Sequence, residues 1–106
     1  MMKYITHGTA IGLVILFAAL TSFGQSGVDI YKAKCQMCHG ADGFGNTPAG
    51  KAMKTRPLNS PDVLKESDTD LITVIKNGKN KMPAFSGKLT DPQIHDIIEY
   101  VHTLQK

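Results

Sequence analysis

Cys35-Gln36-Met37-Cys38-His39 brings two thiols and an imidazole into five consecutive residues. Positions i, i+3 and i+4 share one face of a helical turn, so all three side chains can meet the same flat ligand. A C-x-x-C-H run is the signature for covalent attachment of haem. In that chemistry Cys35 and Cys38 become thioether donors to the two vinyl groups, and His39 becomes the proximal iron ligand.

Three other uses of the cysteines fit less well. A redox dithiol usually opens a helix after a strand of a βαβ unit, and no strongly strand-like run precedes Cys35. A zinc site normally takes four ligands, but the chain has no second cysteine pair and no H-x-x-x-H. A disulfide between residues three apart would close almost no chain and stabilise little.

A second donor lies far along the chain, in Lys79-Asn80-Lys81-Met82-Pro83-Ala84-Phe85. A thioether is a soft ligand for haem iron, and His/Met ligation raises the reduction potential. Pro83 restricts the backbone beside Met82. Met1 and Met2 belong to the N-terminal leader, Met37 sits inside the haem motif, and Met53 lies in a basic segment. Met82 is therefore the expected second axial ligand, with Met53 its competitor.

The elements that must position these residues follow from local signals. Val28, Tyr31 and Cys35 keep helical spacing, which predicts a short helix from Gly27 into the haem motif. Gly40 to Gly50 contains four glycines and Pro48, reads as loop, and is expected to bring Phe44 near the haem edge. Gly45 to Lys51 resembles a phosphate-binding loop only superficially, because Ala52 stands where Ser or Thr is needed. Pro57 and Pro61 bracket another loop, and Lys51, Lys54 and Arg56 are candidates to pair with the haem propionates. Pro48 first, then Pro57, is a candidate to accept the His39 Nδ1 proton. Ser67 to Gly78 reads as a capped amphipathic helix with a glycine stop. Thr90-Asp91-Pro92-Gln93 forms a capping box, after which Ile94, Ile97, Ile98, Val101 and Leu104 make one apolar stripe. His95 and His102 fall beside that stripe as surface residues, and Tyr100 is placed to pack on Gly27 and Tyr31.

Residues 1–24 have the layout of a secretory signal peptide: Lys3, an apolar run from Ala10 to Leu20, then small residues Ser22 and Gly24. The apolar run is shorter than the roughly 20 residues that span a bilayer, so cleavage rather than anchoring is expected. The remaining domain, residues 25–106, would carry 11 basic and 9 acidic side chains, a formal +2 that is too weak to suggest nucleic acid. An exported domain of this size sits near the lower limit for a self-sufficient core, and a covalently held macrocycle would supply the missing apolar mass.

From about Gly27 to Leu104 the chain resembles the class I cytochromes c, in particular the small single-haem bacterial type. The resemblance rests on Gly27 with Tyr31, Cys35 to Gly40, Leu71 to Gly78, Met82 to Phe85, and the terminal helix through Tyr100. It implies an all-α fold of about three to five short helices around one haem c, covalently attached through two thioethers. It also implies crossing of the first and last helices near Gly27, Tyr31 and Tyr100, and His39 and Met82 on opposite haem faces. The family's Gly-Pro after the haem motif appears here as Thr47-Pro48 and Arg56-Pro57.

The function expected is a periplasmic or otherwise exported electron carrier, not an enzyme, monomeric and without a membrane span once the leader is removed. Lys51, Lys79 and Lys81 would steer transient electrostatic docking to redox proteins. The rival is a haem subunit permanently associated with a dehydrogenase or oxidase. A ligand-binding or peroxidatic haem would require an iron that Met82 does not coordinate.

Overall fold

Ser26 opens the first helix, α1 (Gly27–Lys34), by accepting a hydrogen bond from the Asp29 amide. The computed structural model describes residues 26–106, so the leader and its cleavage point lie outside the described residues. The expected run of α1 straight into the haem motif is interrupted. At Cys35 φ widens to −115°, and a separate turn, α2 (Gln36–His39), carries the rest of the motif. Gly40, at φ +86°, ends that turn.

One further short helix lies where loop was expected, and a second follows the loop that Pro57 and Pro61 bracket. Thr47 caps α3 (Pro48–Ala52) through its hydroxyl, and Ser60 precedes α4 (Pro61–Leu64). Both start with proline in the first turn, where its missing N–H costs nothing and its fixed φ suits a helix. The two long helices match expectation. The capping box of Ser67 and Asp70 starts α5 (Asp68–Asn77), and that of Thr90 and Gln93 starts α6 (Asp91–Leu104). Among the described residues there is no strand, only two isolated bridges, and no helix is long and apolar enough to cross a membrane.

The core forms where α1, α5 and α6 meet. Ile30 and Tyr31 pack with Ile75 and with Ile94, Ile97, Ile98 and Val101 of the α6 stripe. A Cβ on Gly27 would overlap the backbone carbonyl of Asp96, so glycine is what lets α1 and α6 touch backbone to backbone. Tyr31 meets Tyr100 edge-on, with ring centroids 5.1 Å apart and planes at 62°. This is the crossing that Gly27, Tyr31 and Tyr100 predict. Such aromatic pairs add about 0.5–1.5 kcal/mol beyond their area burial.

Candidate haem site

The haem-motif turn is held by its backbone carbonyls. The Tyr31 hydroxyl donates to Gly40 O at 2.6 Å, immediately after His39. From the other side the Thr47 hydroxyl donates to Met37 O at 2.6 Å while accepting from Gly50 N at 2.8 Å. The glycine-rich loop then folds back, with Gly45 N donating to His39 O and Leu58 N to Gly43 O.

The turn faces a cavity of about 390 Å³, within the range of roughly 300–1,000 Å³ usual for small-molecule and cofactor sites. Cys35, Cys38, His39 and Met82 all line it. Its walls are largely apolar: Leu58, Leu71 and Val74 on one side, and Ile97, Ile98 and Val101 of α6 on another. Burial lowers the pKa of His39, which keeps the imidazole neutral, the form that binds a metal. Burial also pushes the Cys35 thiol up to about 11, far from the depressed values of a reactive redox thiol. The donor set and the largely apolar cavity walls thus fit a covalently held haem.

Met82 reaches this wall by way of a tight return from α5. Gly78 ends α5 at φ +79°, and Lys79 and Met82 exchange two backbone hydrogen bonds of 3.2 and 2.9 Å. A Cβ on Gly78 would lie 2.7 Å from the Met82 carbonyl oxygen, so the loop closes only over glycine. Met82 is half-buried and packs against the core, whereas Met53, which also borders the cavity, is 46% exposed. Met37 points to solvent.

Other expected contributors divide. Lys54, Arg56, Lys79 and Lys81 border the cavity together with Lys34, and the acid among its lining residues is Glu66. Lys51 is exposed and does not border it. Arg56 already pairs with Asp62 at 3.0 Å, with both groups exposed. Phe44 is 47% exposed and stands away from the cavity wall, a correction to its expected place at the haem edge. His39 Nδ1 is buried with no hydrogen-bond partner among the described residues, so neither proline candidate accepts its proton. Pro48 stands in the first turn of α3, where its carbonyl points along the helix axis, and the Pro57 carbonyl accepts from Ser60 N at 3.0 Å. The roles of Tyr31 and Thr47 escaped the sequence reading. Their contacts join residues nine and ten apart, and no local pattern marks them.

A neutral imidazole and two thiols opening from one short turn onto a single apolar cavity define the class as that of covalent, c-type haem proteins. Comparison with known proteins agrees. The profile of the family described as "Cytochrome C oxidase, cbb3-type, subunit III" matches residues 23–101. Cytochrome c6 of Thermosynechococcus vestitus (strain NIES-2133 / IAM M-273 / BP-1) is 38% identical over 85 residues, covering 79% of this chain and 72% of that protein. Cytochrome c6 of Parathermosynechococcus lividus is also 38% identical, over 72% of this chain and 84% of its own. Among solved structures, the KustC0563 c-type cytochrome superposes with a TM-score of 0.70 at 28% identity, covering 77% of this chain and 100% of that one. The chain belongs to the cytochrome c family, as a small class I member with an all-α fold, and is an electron-transfer protein carrying covalently bound haem c.

Proposed function

We propose that this protein is an exported, single-haem electron carrier in which Cys35 and Cys38 form the two thioethers and His39 and Met82 are the axial ligands. The observation that carries the reading is the sharing of one largely apolar cavity by the C-x-x-C-H side chains and a half-buried methionine 43 positions beyond His39. The bound haem supplies a one-electron ferrous/ferric couple.

The chain's own residues do the rest. Cys35 and Cys38 would tether the group, and the neutral His39 imidazole and the Met82 sulfur would hold its iron, which would leave no place for a substrate and make the protein a carrier rather than an enzyme. The apolar walls contributed by α5 and α6 exclude water and favour the less charged, reduced state. Lys34, Lys54, Lys79 and Lys81 at the cavity border favour brief, salt-sensitive docking of a redox protein with an acidic face. The leader read in residues 1–24, with residues 25–106 as the haem domain, delivers the chain to the periplasm or an equivalent compartment.

The test is the ferric absorption spectrum of the haem-loaded protein beside that of Met82→Ala. A weak long-wavelength iron–sulfur band in the wild type that vanishes in the variant is expected. A wild type that lacks the band and binds cyanide readily overturns the ligand set and the carrier reading together.

The family description that names an oxidase subunit favours one second reading, a haem subunit held permanently by a larger enzyme. Exposed Met37, Phe44 and Leu64 would then be covered. Purification from native cells separates the two: a carrier elutes alone at the size of its own chain, and a subunit elutes with a catalytic partner.

A further inference from the structure

The Met82 loop hangs from the C-terminal end of α5. Phe85 N donates to Ile75 O at 2.9 Å and Ser86 N to Lys76 O at 3.1 Å, so the loop's position follows that of the helix. The helix is in turn tied at both ends to α6. At its C-terminal end Lys76 Nζ lies 2.9 Å from Asp91 Oδ1. At its N-terminal end Asp68 Oδ1 lies 2.7 Å from His102 Nε2.

The hydrogen-bond geometry around His102 favours its protonated form. Gln105 Nε2 donates to Leu58 O at 2.8 Å, which turns the amide so that its oxygen faces His102 Nδ1 at 2.9 Å. The other ring nitrogen faces the Asp68 carboxylate. Both nitrogens thus meet acceptors, and an imidazole donates from both only as the imidazolium. The last turn of α6, where carbonyls collect, favours the same cation. The charged groups bearing on the ring are Asp68 from α5 and Glu99 from α6 itself, and the segment before α4 contributes the Leu58 carbonyl through Gln105.

We propose that His102 is a positioning residue for Met82: its protonated ring latches α5 to the end of α6, and its deprotonation loosens α5 and the loop that α5 carries. The consequence at iron rests on Met82 being a ligand, while the latch itself does not. A neutral ring can donate from one nitrogen only, so either Asp68 or Gln105 then faces a lone pair. The hydrogen bonds to Gln105 and Asp68 raise the His102 pKa above its ordinary value. The latch therefore holds fully below about pH 6.5, the unperturbed imidazole value, and is lost as pH rises through the raised folded-state pKa.

The experiment uses the haem-loaded protein, with His102 followed by NMR from pH 5 to 9 and amide exchange measured over α5 and residues 78–85. Wild type is expected to titrate above about 6.5, and Asp68→Asn to lower that value. Exchange in α5 and the loop, divided by the intrinsic rate at each pH, should rise about two- to fivefold across the titration, modest because the pair is exposed. In His102→Gln it should stay flat. Titration at or below about 6.5, no response to Asp68→Asn, or the same exchange profile in His102→Gln as in wild type overturns the proposal. If Met82 is not a ligand, the iron–sulfur band is missing at every pH while the His102 titration is unchanged, so the two failures are distinguishable.

Discussion

Tyr31→Phe removes one oxygen atom and nothing else from the helix crossing. Tyr31 is 1% exposed, and its hydroxyl is the donor to the buried carbonyl of Gly40 at 2.6 Å. Phenylalanine keeps the ring and its edge contact with Tyr100 but leaves that carbonyl only the 3.1 Å bond it accepts from Gly43 N. That is the loss of one of two hydrogen bonds rather than an orphaned acceptor, which costs about 0.5–1.5 kcal/mol, so about 1 kcal/mol is expected here. For a domain of this size each kcal/mol moves the midpoint of thermal unfolding by about 4–8 °C, which is the drop predicted. Burial pushes the Tyr31 phenol above its ordinary pKa, so it remains a neutral donor and the loss should be the same from pH 5 to 8. The assay is thermal unfolding of haem-loaded protein followed by far-UV circular dichroism. Tyr100→Phe, at the partly exposed partner ring, serves as the comparison and should cost under about 0.5 kcal/mol. A Tyr31→Phe midpoint within 3 °C of wild type, by order of magnitude about 0.5 kcal/mol, or an equal loss in both variants, would refute the argument.

Further outcomes follow from the same contacts. Gly27→Ala forces a methyl group into the Asp96 carbonyl and should destabilise by about 1–3 kcal/mol in chemical denaturation, with the iron–sulfur band retained. Gly78→Ala combines a left-handed backbone position with the 2.7 Å approach to the Met82 carbonyl. It should cost at least about 1–2 kcal/mol and weaken that band, because here the strain falls on the loop that carries Met82, the proposed ligand. The hydrogen bond and charge of Lys76 hold the Asp91 carboxyl below its ordinary pKa. This contribution is present above the unfolded-state value of about 3.9 and disappears as pH falls through the lower folded value. Asp91→Asn should accordingly flatten the acid limb of the stability profile, measured by denaturant titration between pH 2 and 5.

Much of the fold could be read from the chain because its determinants are local. The capping boxes at Ser67 and Thr90, the glycine stop at Gly78 and the apolar stripe of α6 each involve residues within a few positions of one another. The helical turns α3 and α4 are equally local, signalled by Thr47 before Pro48 and Ser60 before Pro61, but the surrounding glycine and proline density hides that signal. A proline that breaks a helix interior starts one well, so the same residue carries opposite meanings at positions one turn apart.

The C-x-x-C-H run determined the cofactor chemistry without help from the fold, since three donors within five residues need only a helical turn to converge. The cavity they face was decided by tertiary structure, because its walls come from α5, α6 and the Leu58 segment, far apart in sequence. The same holds for the bonds from Tyr31 and Thr47 to the motif's carbonyls, and for the clasp of His102 to Asp68, 34 residues away. Periodicity assigns a side chain to a face, but the atom it meets across that face is set by how the helices cross. Here the crossing depends on the missing side chain of Gly27, which lets α1 and α6 close together and Tyr31 and Tyr100 meet.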